Sequence, residues 1–338
     1  MKLRIALSAL ALVAVLPENC LSKKDDARRG RVRGVGTAKS AAGADRMLQP
    51  LFNDHEYELT KACTVLVRES IYSDFHEEES LDCELHPADA GGVDGIIVEI
   101  EDGETSLAGI DVQSGRTTVF AANSFVSDGK LTLGEEITAG SIEEGAGAGL
   151  FNRRLATTGD KTLLVVVVNT SDGKSVRFSP ERISDSLFGN GIDGNGSDAV
   201  SLRSQYAKCS DDKLRIRPCT YSRSGFTPVT NGVVTVDIDR PSTDDKNLIR
   251  SAAQAELFGV IGSNPVYVAD HIMFCFPDEV DMPIGYANIN GPLSVLKDDW
   301  CTFVSLQMHE VRHLYFMIEF SKKVPTVLTS SKLNHPHL

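Results

Sequence analysis

Lys161-Thr162-Leu163-Leu164-Val165-Val166-Val167-Val168-Asn169 is the stretch that decides the fold. Its centre is an unbroken apolar run ending in β-branched valines, which favour an extended backbone. A run without polar alternation must be covered on both faces, so it reads as a strand in the middle of a sheet. Downstream, Ser179-Pro180-Glu181 supplies a cap, a proline at the first turn and an acid at the positive end of a helix reaching about Phe188. Gly189 to Gly196 is a loop; its Asp193, Asn195 and Ser197 resemble a calcium loop, but Ser204 stands where the bidentate Glu is required, which excludes an EF-hand. Asp198 to Lys208 reads as a helix, and Lys213 to Arg217 and Gly232 to Ile238 as strands, the latter with Val234, Val236 and Ile238 inward. Asp244-Asp245 opens a helix to Phe258, stopped by Gly259, with Leu248, Ala252 and Ala255 on one face. A strand from His271 to Phe276 and a last helix beginning near Phe303 complete an α+β (α/β-like) layer on a twisted mixed sheet.

Upstream, residues 51–150 read as a small β-rich domain and a possible pro-region. Its strands are Thr64 to Arg68, Gly95 to Glu101, Thr117 to Phe120 and Lys130 to Leu133, separated by turn signals such as Asp102-Gly103 and Asp128-Gly129. His76 with Glu77, Glu78 and Glu79 reads as a solvated loop rather than a metal cluster, because consecutive side chains diverge. The Gly, Ala and Glu-rich segment from Thr138 to Thr158 marks a boundary. Its Arg153-Arg154 is either a processing site or a pair of linker arginines.

The first 19 residues, with Lys2 and Arg4 before an apolar run from Ile5 to Leu16, have the pattern of a cleaved secretory signal, and the basic stretch over 20–50 that of a disordered linker. Export permits disulfides. Leaving Cys20 aside, the remaining cysteines suit three bridges; proximity favours Cys63 with Cys83, and Cys209, Cys219, Cys275 and Cys301 keep their pairing open. Either Cys63 or Cys83 could instead cap a metal as a thiolate, a less economical reading in an oxidising compartment. Asn169-Thr170-Ser171 and Asn195-Gly196-Ser197 are glycosylation sequons. A net charge of −13 argues against nucleic acid as a partner, and no later segment is apolar for long enough to span a bilayer. The expected setting is therefore outside the cell, without stable membrane association once the signal is removed.

The chemistry sits at His309-Glu310-Val311-Arg312-His313. Two imidazoles four residues apart on a helix share a face one turn from each other and can hold one zinc ion. Glu310 is then placed to act as a general base toward water.

From about Gly159 to Glu310 the chain resembles the gametolysin family of secreted zinc metallopeptidases. The resemblance rests on Gly159-Asp160-Lys161-Thr162-Leu163-Leu164-Val165, Leu202 to Ser210, Asn231 to Val236, Ala269 to Pro277, and Asp299-Trp300-Cys301-Thr302 leading to Gln307-Met308-His309-Glu310. It implies the upper subdomain of a metzincin-like peptidase over 159–319, incomplete, with an unstructured tail over 320–338. It also implies a helix extended by a glycine and a third histidine. Phe316 stands in the glycine's place and Glu319 in the histidine's. In a straight helix at about 100° per residue Glu319 leaves the metal face; a bend near Phe316 would return it, and His335 and His337 are further candidates for the third ligand. The chain also lacks the lower subdomain that the resemblance implies. The expected reason is an unspliced intron or shifted frame from Val311 onward, which would make His313 an accidental match. A helix presenting Leu314, Phe316 and Ile318 with nothing beneath them would then fold poorly. Two functions follow: a secreted zinc endopeptidase, whose partners the resemblance implies to be protein or glycoprotein substrates of the extracellular space or cell wall, or a non-catalytic secreted module that keeps only binding.

Overall fold

The computed structural model describes residues 57–90, 95–141, 158–191 and 200–315. The signal, the linker, residues 142–157 of the boundary segment with Arg153-Arg154, the second sequon, Phe316, Glu319, His335, His337 and the tail all lie outside them. In chain order the elements of the first half are β1 (Tyr57–Glu58), β2 (Cys63–Ile71), β3 (Glu77–Glu84), β4 (Ile97–Ile100), α1 (Gly103–Ser106), β5 (Thr117–Ala121), β6 (Phe125–Ser127), β7 (Lys130–Thr132) and β8 (Ile137–Ser141). The second half contributes β9 (Gly159–Asn169), α2 (Pro180–Phe188), α3 (Leu202–Cys209), β10 (Leu214–Pro218), β11 (Val233–Asp237), α4 (Lys246–Ile261), α5 (Pro265–Val268), β12 (His271–Phe276), β13 (Gly285–Asn288) and β14 (Leu293–Lys297). A 3-10 turn, Asp298–Thr302, then leads into α6 (Val304–Tyr315).

All fourteen strands of the described residues belong to one mixed sheet, whose main path runs β1-β6-β7-β4-β3-β2-β13-β14-β12-β9-β10. The apolar run is β9, and it lies where its composition requires. It pairs in parallel with β12 on one side, and with β10 and then β11 on the other. Its side chains alternate between two cores. Leu164, Val166 and Val168 join Ile249, Ala253, Leu257 and Ile261 of α4. Leu163, Val165 and Val167 join Ile183 and Leu187 of α2, Leu202 and Tyr206 of α3, and Leu306 and Val311 of α6. Each such side chain, fully buried, contributes about 1.5–3 kcal/mol, so this double-sided strand is the main anchor of the second half. Helices therefore cover both faces, and the architecture is α+β with a large mixed sheet.

The helix starting at Asp245 corrects one expectation. It does not stop at Gly259 but runs to Ile261 and ends on Gly262, which is left-handed at φ 67°. A glycine inside a helix costs only about 1 kcal/mol, which the packing of Leu257 and Ile261 outweighs. Its buried face is Ile249, Ala253, Leu257 and Ile261 rather than Leu248, Ala252 and Ala255, which are half-buried. A second correction concerns Glu77 to Glu79: they begin β3, a strand rather than a loop, although all three acids are exposed as expected.

Strands from both sides of the expected boundary join in this sheet, because β13 pairs with β2 antiparallel from Gly285↔Ile71 to Asn288↔Arg68. On the α4 face of the junction, Asp82 accepts from Asn288 Nδ2 at 2.8 Å and pairs with Arg68 at 3.1 Å and Arg250 at 3.5 Å. Arg68 also bonds Glu99 at 2.8 Å. The expected Cys63–Cys83 bridge forms, which removes both thiols from metal capping, and Cys275–Cys301 is the second disulfide. Cys209 and Cys219 are not bridged to each other, so among the described residues the third expected bridge is absent. Among the described residues no helix is long and apolar enough to cross a membrane.

Candidate metal centre

The helix α6 is fixed at its start. The Cys275–Cys301 disulfide ties the preceding turn to β12. Gln307 donates its side-chain amide to the Cys301 carbonyl at 2.6 Å and to Ser186 Oγ at 3.2 Å. Further along, the Tyr206 hydroxyl donates to the Met308 carbonyl at 2.9 Å, and the Asn290 amide to the His313 carbonyl at 3.1 Å. A helix held at these points presents His309 and His313 in a set geometry. Their ring centroids stand 4.7 Å apart, as the four-residue spacing requires.

Facing them is a residue that the sequence reading did not single out. Strand alternation on β2 sends Arg68 toward α4 and Glu69 toward α6. Glu69 Oε2 lies 3.4 Å from His313 Nδ1 and Oε1 lies 3.9 Å from His309 Nε2. One ligand atom from each of Glu69, His309 and His313 falls within 4.8 Å of the others. Two ligands each about 2.1 Å from a common ion sit about 3.4 Å apart at a tetrahedral angle, so a small closure of the triad is all that coordination needs.

The polar atoms are in want of such a partner. His309 Nε2, both nitrogens of His313 and both oxygens of Glu310 are buried and make no hydrogen bond with the described residues. Buried polar atoms left unpaired are costly, and a cation held by the three ligands would satisfy the imidazoles. Burial, with the charge of Arg312, pushes His309 down to about 4. Burial, then His309 and Arg312, pushes His313 down to about 3. Both rings are therefore neutral at neutral pH, the form that ligates. Burial raises Glu69 as well, reinforced by the neighbouring charge of Glu77.

Glu310 is not one of the three grouped ligands. It is fully enclosed, and burial followed by the charge of Glu69 holds its carboxyl well above the ordinary range. Its Oε1 rests on the backbone of β13 at Gly285, where a Cβ would come within 2.6 Å of it. A glycine at that point of β13 is thus what leaves room for the acid.

A scan against protein-family models, a search of curated proteins and a search of solved structures each found no match. What the chain can do is therefore read from this geometry. Of the expected residues, His309 and His313 lie together opposite Glu69, Glu310 rests against Gly285, and Glu319 lies outside the described residues. The group that can hold a metal ion is Glu69, His309 and His313. One signal in the sequence could have found Glu69: extending the strand from Arg68 to Ile71 places a charged residue on the same face as buried Ile71. The acids next to His76 are not part of the group. His76 instead bonds Asp74 and stacks on Tyr72 at 4.4 Å.

Proposed function

We propose that the chain is a secreted zinc endopeptidase in which His309, His313 and Glu69 hold the ion and Glu310 is the general base. The observation that carries this reading is the carboxylate of Glu69 facing two neutral imidazoles whose nitrogens lack other partners. Two histidines and one carboxylate form a donor set that suits zinc and leaves a fourth position for chemistry. When bound, zinc would act as a Lewis acid on a carbonyl and lower the pKa of water. Glu310 would accept the proton of the attacking water as its oxygen bonds the carbonyl carbon, then deliver it to the departing amine. Burial and the charge of Glu69 raise the Glu310 carboxyl above its ordinary range, the direction expected of a group that must return a proton as well as take one. The sequence resemblance to gametolysin-type peptidases points to the same reaction, with proteins or glycoproteins of the extracellular space or cell wall as substrates. Two disulfides suit export.

One observation favours a second reading. Glu310 and His313 are almost wholly enclosed, at 0% and 1% exposure, and closed sites are the habit of structural metals. The chain would then be a non-catalytic secreted module clamped by its ion. Metal analysis of the full chain with hydrolysis of an unfolded protein substrate separates the two. The peptidase reading expects one zinc per chain and activity that Glu310→Gln abolishes without loss of zinc. Zinc retained with no hydrolysis in the parent protein would leave only the module.

A further inference from the structure

Phe75, Trp300 and Phe303 form an aromatic notch on the surface. Phe75 is 69% exposed and Phe303 49% exposed. Trp300 stands between them: its ring meets Phe75 edge-on at 6.2 Å and 85°, and Phe303 at 5.0 Å and 42°. Phe75 is also held at φ 61°, a left-handed conformation that bulky side chains rarely adopt, by a turn in which its amide donates to the Tyr72 carbonyl at 2.8 Å. A turn that holds a phenylalanine in an unfavourable backbone region and leaves it mostly in water gains only the edge of Trp300 in packing. Outliers of this kind concentrate at binding sites.

Two chain connections place the notch beside the metal centre. Phe303 immediately precedes α6, and His309 follows about 9 Å along the helix at 1.5 Å per residue. From the other side, Glu69 is two residues, about 7 Å of strand, from Ile71, the end of β2 and the start of the turn bearing Phe75. Ile71 packs in the same core as Leu306 and Val311 of α6, with Trp300 against it, so notch and centre share one face. The rim is acidic. Glu77 and Glu79 lie opposite Ile71 and Glu69 on β3, and Asp74 flanks Phe75. Arg312 is the basic group bearing on Glu69, and Arg177 is paired with Asp298 and Asp299.

We infer that this notch is a substrate subsite that takes a bulky apolar side chain of an extended, basic polypeptide, a few residues from the bond to be cut. The claim that the occupant is substrate rests on the peptidase reading. The shape chooses between ligands. Rings set at 85° and 42° to one another present faces and edges at an angle, which suits contact with a bulky side chain, whereas a sugar ring stacks on an open, flat face. The acidic rim selects a cationic neighbour to that side chain.

Trp300 is the sole tryptophan of the chain, so its fluorescence reports on this notch alone. The experiment titrates full-length Glu310→Gln protein with a short lysine-containing peptide bearing one phenylalanine, with the same peptide carrying alanine instead, and with a neutral oligosaccharide of similar length. The expected result is a change in Trp300 emission with the phenylalanine peptide only. Binding should weaken about tenfold in Phe75→Ala and again in high salt, with the thermal midpoint and zinc content of the variant unchanged. A response to the oligosaccharide and not the peptide, or equal responses to both peptides, overturns the inference. Because binding is read without turnover, a parent protein that binds the peptide but cleaves nothing defeats the peptidase reading alone. Cleavage with no apolar preference defeats the subsite alone.

Discussion

In the proposed function Glu69 is the third ligand that makes a metal centre of two imidazoles. With Glu69→Gln the charge is lost and the shape nearly kept, so zinc affinity should fall by more than the about 10–100-fold that loss of an outer-shell partner costs. Competition with a chelator of known affinity reads this directly, and unchanged affinity would remove Glu69 from the ligand set. The histidines make a second prediction, for metal-free protein. Their folded values, about 4 and about 3, lie below the ordinary 6.5, so between these limits the unfolded chain binds more protons than the folded one. Their contribution is fully present above pH 6.5 and is lost as pH falls toward 4 and below. Urea unfolding of the parent and of a His309→Gln/His313→Gln variant should therefore show a stability difference that shifts in the variant's favour between pH 7 and pH 5. Glu69 and Glu310, whose raised values act in the opposite direction, are common to both proteins and cancel to first order. A pH-independent difference would mean that neither ring is held neutral by burial.

At the scale of elements, two glycines near the end of α4 should respond oppositely to the same change. Gly259 lies within the helix with nothing within 4 Å of an added Cβ, so Gly259→Ala should stabilise by about 0.5–1 kcal/mol. Gly262 is left-handed and a Cβ there would meet the Phe226 ring at 2.4 Å, so Gly262→Ala should destabilise by well over 1 kcal/mol. Thermal midpoints of the two variants test the pair, and equal shifts would contradict the helix end. That end also shows what sequence pattern conveys. Periodicity and caps located β9, α2, β10, β11, β12 and the start of α6, because each is governed by local propensity and a long apolar or alternating signal. Gly259 misled because a helix boundary is set by packing of Leu257 and Ile261 on a distant sheet, which no local signal encodes. β3 was missed for a related reason: Glu77, Glu78 and Glu79 have low strand propensity and are extended only because β2 lies beside them. The site was legible where it is local, on α6. Its Glu69 was not, since that contact joins residues far apart in sequence through the β2–β13 pairing.

That pairing gives the whole molecule its most exposed prediction. The two halves are bound by four β2–β13 residue pairs, by Gln254 bonding both the amide and carbonyl of Ile97 at 3.2 and 3.4 Å, and by Asp82 shared among Arg68, Arg250 and Asn288. Asp82 is fully buried, and removing one member of such a network leaves uncompensated charge, so Asp82→Ala should cost about 3–5 kcal/mol. Leu66 and Ile97 of the first half also lie in the core built on α4 and β12. A first half embedded in this way should behave as part of the fold rather than as a cover laid over it. Cutting the backbone at a protease site engineered between Ser141 and Thr158 should therefore leave the halves associated on a sizing column, with chelator-measured zinc affinity unchanged, because Glu69 stays in place. Adding Asp82→Ala to the cut protein should release the first half, and zinc affinity should then fall as it does in Glu69→Gln. If the cut alone frees the first half and the remainder keeps its zinc, the third ligand is not Glu69. The β2–β13 contact would then be a dispensable cover, as expected of a removable pro-region.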